Sequence, residues 1–195
     1  LGATVYVCPA SVPADDPRSY YEVAKRIAAE TPNSIYINQY FNELNIDAHY
    51  SSTGPEILEQ TEGKITHLFA CTGTGGTLSG SAKFLKEKNS DIKIIGVDAD
   101  GSILKTYHET GEIDPSEIHS YQIEGLGKNL IPSALLFDRI DHFVRVNDEM
   151  SAYCTREIAL KEAIMGGYTT GAVLQALRQY ANANPFSEND LVVLI

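Results

Sequence analysis

The stretch whose residue types and spacing point most directly to chemistry is Cys71-Thr72-Gly73-Thr74-Gly75-Gly76-Thr77-Leu78-Ser79-Gly80, where glycines alternate with hydroxyls. An apolar run, residues 65–70, precedes it, and Leu78, Ala82 and Leu85 follow at helical spacing. The spacing predicts a strand, a glycine loop and a helix start. A helix leaves the N–H groups of its first turn unpaired and carries the positive end of its dipole there. A loop without side chains at that point lets an anion approach the backbone, and phosphate is the anion such loops usually take. Tight packing at an ordinary strand-to-helix turn would use the same glycines.

What is missing narrows the choice of phosphate. A nucleoside-triphosphate loop closes its glycine run with a lysine and a hydroxyl, and the nearest lysine, Lys83, stands on the helix body. A dinucleotide fingerprint would place a third glycine where Leu78 stands, although Asp98, near the end of the next strand, sits where a ribose-binding acid would. A nicotinamide-dinucleotide domain resting on Gly73, Gly75 and Asp98 therefore competes with a compact monophosphate held by backbone N–H groups and the hydroxyls of Thr74 and Thr77. Cys8, Cys71 and Cys154 are odd in number, far apart and set among apolar neighbours, which predicts reduced thiols and no metal site.

The elements that position this loop follow from periodicity. Residues 4–8 read as a strand, and Asp16-Pro17 as a cap and first turn for a helix carrying Tyr20, Val23, Ala24, Ile27 and Ala28 to about Glu30. Residues 34–38 form a short β-type run, and residues 39–52 a long polar connection. A helix starts at Thr53-Gly54-Pro55-Glu56, before the strand and loop already described. Strands at residues 92–97 and 142–146 alternate with helices over residues 101–108 and 148–164, and with one marked by Val173, Ala176, Leu177 and Tyr180, before a final strand at 191–195. This alternation predicts an α/β fold with a doubly wound, mostly parallel sheet.

The chain has 195 residues, 43% of them hydrophobic, enough for one sizeable core. Its 15 basic and 26 acidic side chains give a net charge of −11, with no basic stripe for nucleic acid or an acidic membrane. No apolar run is long enough to span a bilayer and no signal peptide stands out, and the scattered, reduced cysteines make the cytoplasm the expected location. Both ends fall within strand-like runs, which is the expectation for a fragment of a longer protein.

Several stretches together resemble the cystathionine β-synthase and cysteine synthase family. They are, in order, Asp16-Pro17-Arg18-Ser19, Asn38-Gln39-Tyr40-Phe41-Asn42, Ala48-His49-Tyr50, Thr53-Gly54-Pro55-Glu56-Ile57, Gly73-Thr74-Gly75-Gly76-Thr77, Gly96-Val97-Asp98 with Gly101-Ser102, Glu124-Gly125-Leu126-Gly127 with Ile131-Pro132, Val146-Asn147-Asp148-Glu149 and Thr169-Thr170-Gly171. The resemblance covers almost the whole chain. It implies the tryptophan-synthase β-like fold of pyridoxal-phosphate enzymes, incomplete here at both ends, with residues 1–38 as the tail of the small domain and 39–195 as most of the large one.

The resemblance also implies roles. Gly73, Thr74, Gly75, Gly76 and Thr77 would hold the phosphate of pyridoxal 5'-phosphate, and the Thr169 hydroxyl would face the pyridine nitrogen. N-capping of a helix beginning near Ala172 would explain Thr169 and Thr170 equally well. Gln39 would help hold the amino-acid carboxylate and Gly125 would belong to a loop closing on the substrate; the plain alternatives are a solvated glutamine and a turn. Lys128 stands where cystathionine β-synthases carry tyrosine, which leaves the second substrate open. The implied reaction is β-replacement on serine or an activated serine by a thiol, with cysteine synthesis from O-acetylserine and sulfide as the alternative, in a homodimer. The family's Schiff-base lysine has no counterpart in this chain, so no catalytic residue is assigned and the chain alone is expected to be inactive.

Overall fold

The computed structural model describes residues 2–9 and 12–195, which divide into two compact units, 1–38 and 39–195. In the first unit the regular element is helix α1 (Tyr20–Glu30). Its cap is Ser19 rather than Asp16: Ser19 Oγ accepts from the Glu22 amide at 3.2 Å and donates to the Ala14 carbonyl at 2.7 Å. Asp16 instead holds the turn before it, with its carboxylate against the Arg18 guanidinium at 2.7 Å. The expected strands at residues 4–8 and 34–38 do not form. Val5, Val7 and Ile35 are 80%, 94% and 84% exposed, and among the described residues no neighbouring strand shares their backbone hydrogen bonds. A β-type run becomes a strand only when a partner completes its ladder. Residues 10 and 11, between the expected first strand and Asp16, lie outside the described residues.

In the second unit, helices α2 (Leu44–Ser51) and α3 (Thr53–Gln60) come first. They are followed by β1 (His67–Cys71), α4 (Gly76–Lys88), β2 (Lys93–Ala99), α5 (Leu104–Thr110), β3 (His142–Val146), α6 (Asp148–Glu162), α7 (Tyr168–Ala183) and β4 (Val192–Leu194). The long polar connection expected over residues 39–52 is therefore mostly helix. Its start is set by Asn42, whose side-chain oxygen accepts from the Leu44 amide at 3.1 Å.

All strand pairings are parallel and the order is β3-β2-β1-β4, with Phe69 opposite both Ile95 and Leu194 and Val97 opposite Val144. Alternate residues of β1 feed two cores. Leu68 and Ala70 pack with Leu78, Ala82 and Leu85 of α4 and with Leu104 of α5, whereas Phe69 packs with Ala172, Val173 and Ala176 of α7. Helices thus cover both faces, as the doubly wound expectation requires. The chain moves outward from β1 through β2 to β3, then returns to place β4 on the other side of β1. In open α/β sheets ligands bind outside the carboxyl ends of the strands at such a reversal. The glycine loop leaves β1 there.

Candidate active site

The path from β1 into α4 is fixed at close quarters. The Thr72 amide donates to the Val97 carbonyl at 3.0 Å and the Thr72 carbonyl accepts from the Gly127 amide at 2.8 Å, so the loop's first residue is tied to β2 on one side and the 125–127 turn on the other. A Cβ on Gly73 would lie 2.4 Å from the Gly125 carbonyl oxygen. Gly75 caps α4 with a φ of +93°, and its Cβ would lie 2.6 Å from that of Leu135. Only glycine meets both demands. At Gly76 a Cβ would fall 2.0 Å from the Asn45 side-chain oxygen.

This packing leaves a run of free donors. Ser79 makes the first backbone hydrogen bond of α4, to Gly75 at 2.8 Å, and among the described residues the amides of 73–78 have no acceptor in the chain. They converge where the helix dipole is positive, and the buried Thr72 hydroxyl beside them has no partner either. Such a cradle suits a compact anion.

Two side chains of α2 orient the loop's hydroxyls. Asn45 Nδ2 donates to Thr74 Oγ1 at 3.0 Å and to the Gln39 carbonyl at 2.9 Å, which leaves the Thr74 proton free. His49 Nε2 lies 3.0 Å from Thr77 Oγ1, and its Nδ1 lies 2.8 Å from Thr53 Oγ1. Burial lowers the His49 pKa and favours a neutral ring, which has one N–H and one lone pair. With the proton on Nε2, Nδ1 accepts from Thr53 and Thr77 is left with a proton to give. Sequence reasoning gave neither Asn45 nor His49 a role, although His49 stands in one of the stretches that carry the resemblance; the Asn42 turn signal, which announces α2, could have found them.

The other expected site residues are distributed as follows. Gln39 is exposed, and its carbonyl joins it to the loop through Asn45. Gly125 is exposed, with its carbonyl against Gly73. Thr169 and Thr170 are not caps: α7 begins at Tyr168 with Gly167 as its cap residue, so both threonines lie inside the first turn. Cys71 Sγ donates to the Thr169 carbonyl at 3.4 Å, which brings the start of α7 to the end of β1. Thr169 lines a cavity of about 650 Å³ together with Thr170, Val173, Ile158, Leu194 and Ile195, and the glycine loop is not part of its wall. Burial pushes the Cys71 thiol up to about 12, so it is an inert thiol at neutral pH.

Asp98 does not serve as a ribose acid. It is wholly buried, and its two oxygens accept from the Ala99 amide at 3.0 Å and the Lys105 amide at 2.9 Å. With Leu78 also buried in the α4 core, the dinucleotide reading loses both its third glycine and its acid. Among the described residues no cluster of His, Cys, Asp and Glu could hold a metal, and no helix is long and apolar enough to cross a membrane.

A parallel sheet with an amide cradle at its reversal point is the setting of a phosphate-bearing cofactor, and the sequence profile of the pyridoxal-phosphate-dependent enzymes matches residues 1–195. The chain belongs to that family. It is 38% identical over 194 residues to cystathionine β-synthase of Mus musculus, covering 100% of this chain and 34% of the mouse protein. It is 32% identical over 193 residues to the O-acetylserine-dependent cystathionine β-synthase of Bacillus subtilis, covering 99% of this chain and 59% of that one. Among solved structures, a hydrogen sulfide-producing enzyme of Fusobacterium nucleatum (Fn1220) aligns with a TM-score of 0.75 at 30% identity, over 89% of this chain and 55% of that one. The chain thus spans about a third of the mouse protein and under two thirds of the other two.

Proposed function

We propose that the whole protein exchanges the β-substituent of serine, or of an activated serine, for a thiol, with pyridoxal 5'-phosphate as cofactor. The observation that carries this reading is the run of unpaired amides at residues 73–78, which fits one phosphoester. The names of the relatives at 32–38% identity supply the reaction class. Gly73, Gly75 and Gly76 would let the phosphate reach those amides, and Thr74 and Thr77 would donate their hydroxyl protons to it. The bound cofactor supplies an electron sink for carbanion chemistry. The Thr169 hydroxyl would meet the pyridine nitrogen as a neutral partner, which moderates that sink and favours elimination and replacement over transamination. Gln39 would hold the amino-acid carboxylate, and Gly125, at φ +79° with open space where a Cβ would stand, would belong to the loop that closes on the substrate. Residues 1–38 would be the tail of the small domain and 39–195 most of the large one, in a homodimer. No lysine here stands in the Schiff-base context, so the 195 residues alone would not turn over.

The test is to assay the complete protein with serine plus homocysteine against O-acetylserine plus sulfide, after recording its visible spectrum. A yellow protein active in either pair supports the reading, and preference for the second pair moves it to cysteine synthase. A colourless protein unaffected by added cofactor and inactive in both assays overturns it.

A further inference from the structure

Lys128 follows the Gly125-Leu126-Gly127 turn, and its backbone is pinned on both sides. Its amide donates to Ser102 Oγ at 2.8 Å, and its carbonyl accepts from Ser102 Oγ and from the Ile103 amide, each at 3.0 Å. The side chain is held as well: Nζ lies 5.1 Å from the centre of the Tyr40 ring and 3.3 Å from its hydroxyl. Tyr40 adjoins Gln39, whose carbonyl is bridged by Asn45 to Thr74, while the other end of the turn abuts Gly73. The ammonium therefore stands at the same edge of the sheet as the amide cradle.

Its charge has no acid to answer it. Lys86, Lys105, Arg145 and Arg178 each pair with a carboxylate, whereas among the described residues Lys128, like Lys83 and Lys88 over their own aromatic rings, forms no ion pair; of these three it alone has its backbone tied beside the turn that abuts Gly73. An aromatic ring orients a cation without neutralising it and leaves its remaining protons to a ligand. The cradle already provides for the phosphate, so a second anion remains to be accounted for.

We propose that Lys128 binds the carboxylate of the second substrate, so that the incoming thiol is a thiol-bearing amino acid and not inorganic sulfide. This rests on the β-replacement reading above.

The test uses the complete enzyme loaded with cofactor, with homocysteine and 3-aminopropane-1-thiol, its analogue lacking the carboxylate, as competing second substrates. In the wild type KM is lower for homocysteine. In Lys128→Met and Lys128→Tyr the ratio of the two KM values collapses about 10- to 100-fold, the worth of a hydrogen bond to a charged group, and Lys128→Arg retains much of it. A ratio unchanged in both neutral variants overturns the proposal, as does a rise in KM for serine without change in the ratio, which would move the contact to the first substrate. A role confined to holding Tyr40 would raise both thiol KM values together and also overturn it. A wild type that replaces the β-substituent with sulfide but does not discriminate between the thiols removes this inference alone; one with no replacement activity removes the proposed function with it.

Discussion

Asn45 determines how the cradle is built at the scale of single residues. One amide group joins the Gln39 backbone to the Thr74 hydroxyl, and its oxygen occupies the space a side chain at position 76 would need. Asn45→Ala in the complete protein should lower stability by about 1 kcal/mol for the lost hydrogen bonds and weaken pyridoxal-phosphate binding by about tenfold, read from a urea midpoint and a cofactor titration. Gly75→Ala should be more damaging. It forces a side chain into the left-handed region, at about 1–2 kcal/mol, and drives it into Leu135, so the thermal midpoint and the cofactor affinity should fall together. Replacing Asp98 by alanine should destabilise the chain through two orphaned amides without conferring or removing nucleotide binding.

At the scale of elements, the relevant contacts are those that set one helix against another. A Cβ on Gly171 of α7 would lie 1.9 Å from the Ser151 carbonyl of α6, so these helices touch at the backbone. Gly171→Ala should separate them, costing about 1–3 kcal/mol, and displace the first turn of α7 with Thr169; thermal unfolding and the cofactor's visible spectrum report the two effects. Strand β3 is tied to the turn at Pro115–Glu117 through Arg145, which makes paired contacts with Glu117 at 2.9 and 3.1 Å and reaches Thr106 of α5 at 3.1 Å. The hydrogen bond from Arg145, with a second from Thr106, holds the Glu117 carboxyl below its ordinary value of 4.5. A depressed folded-state value means that the unfolded chain takes up the proton first. This contribution is therefore present above the ordinary carboxylate range and is lost as pH falls below it. Glu117→Gln should flatten the acid limb of stability against pH, followed by urea midpoints between about pH 6 and 3.

For the molecule as a whole, a parallel sheet delivers the β1–α4 loop to its carboxyl edge, and the 125–127 turn and the start of α7 are tied to that same end of β1 through the Thr72 carbonyl and the Cys71 thiol. A ligand seated there binds the folded chain alone, so saturating pyridoxal phosphate should raise the melting temperature of the complete apoprotein. At a hundred times Kd the gain is about 2.7 kcal/mol. Thr74→Ala with Thr77→Ala should shrink that shift at fixed cofactor concentration, while a general stabiliser would act equally on both proteins.

The sequence by itself determined the layered α/β architecture and the cradle. Burial on both faces writes β2 as an apolar run over 94–97, and the steric demands at positions 73, 75 and 76 write themselves as glycine. Those signals are local, so they are legible in one dimension. Tertiary structure alone decided that residues 4–8 and 34–38 are not strands, because a ladder needs a partner from elsewhere in the chain. It also decided that 44–51 is a helix, since α2 packs without a continuous apolar stripe and approaches α4 through the bare Gly80, where a Cβ would sit 2.3 Å from the Ile46 carbonyl. The parts of Asn45, His49 and Lys128 depend on neighbours 28 to 88 residues away, and periodicity carries no record of such distances.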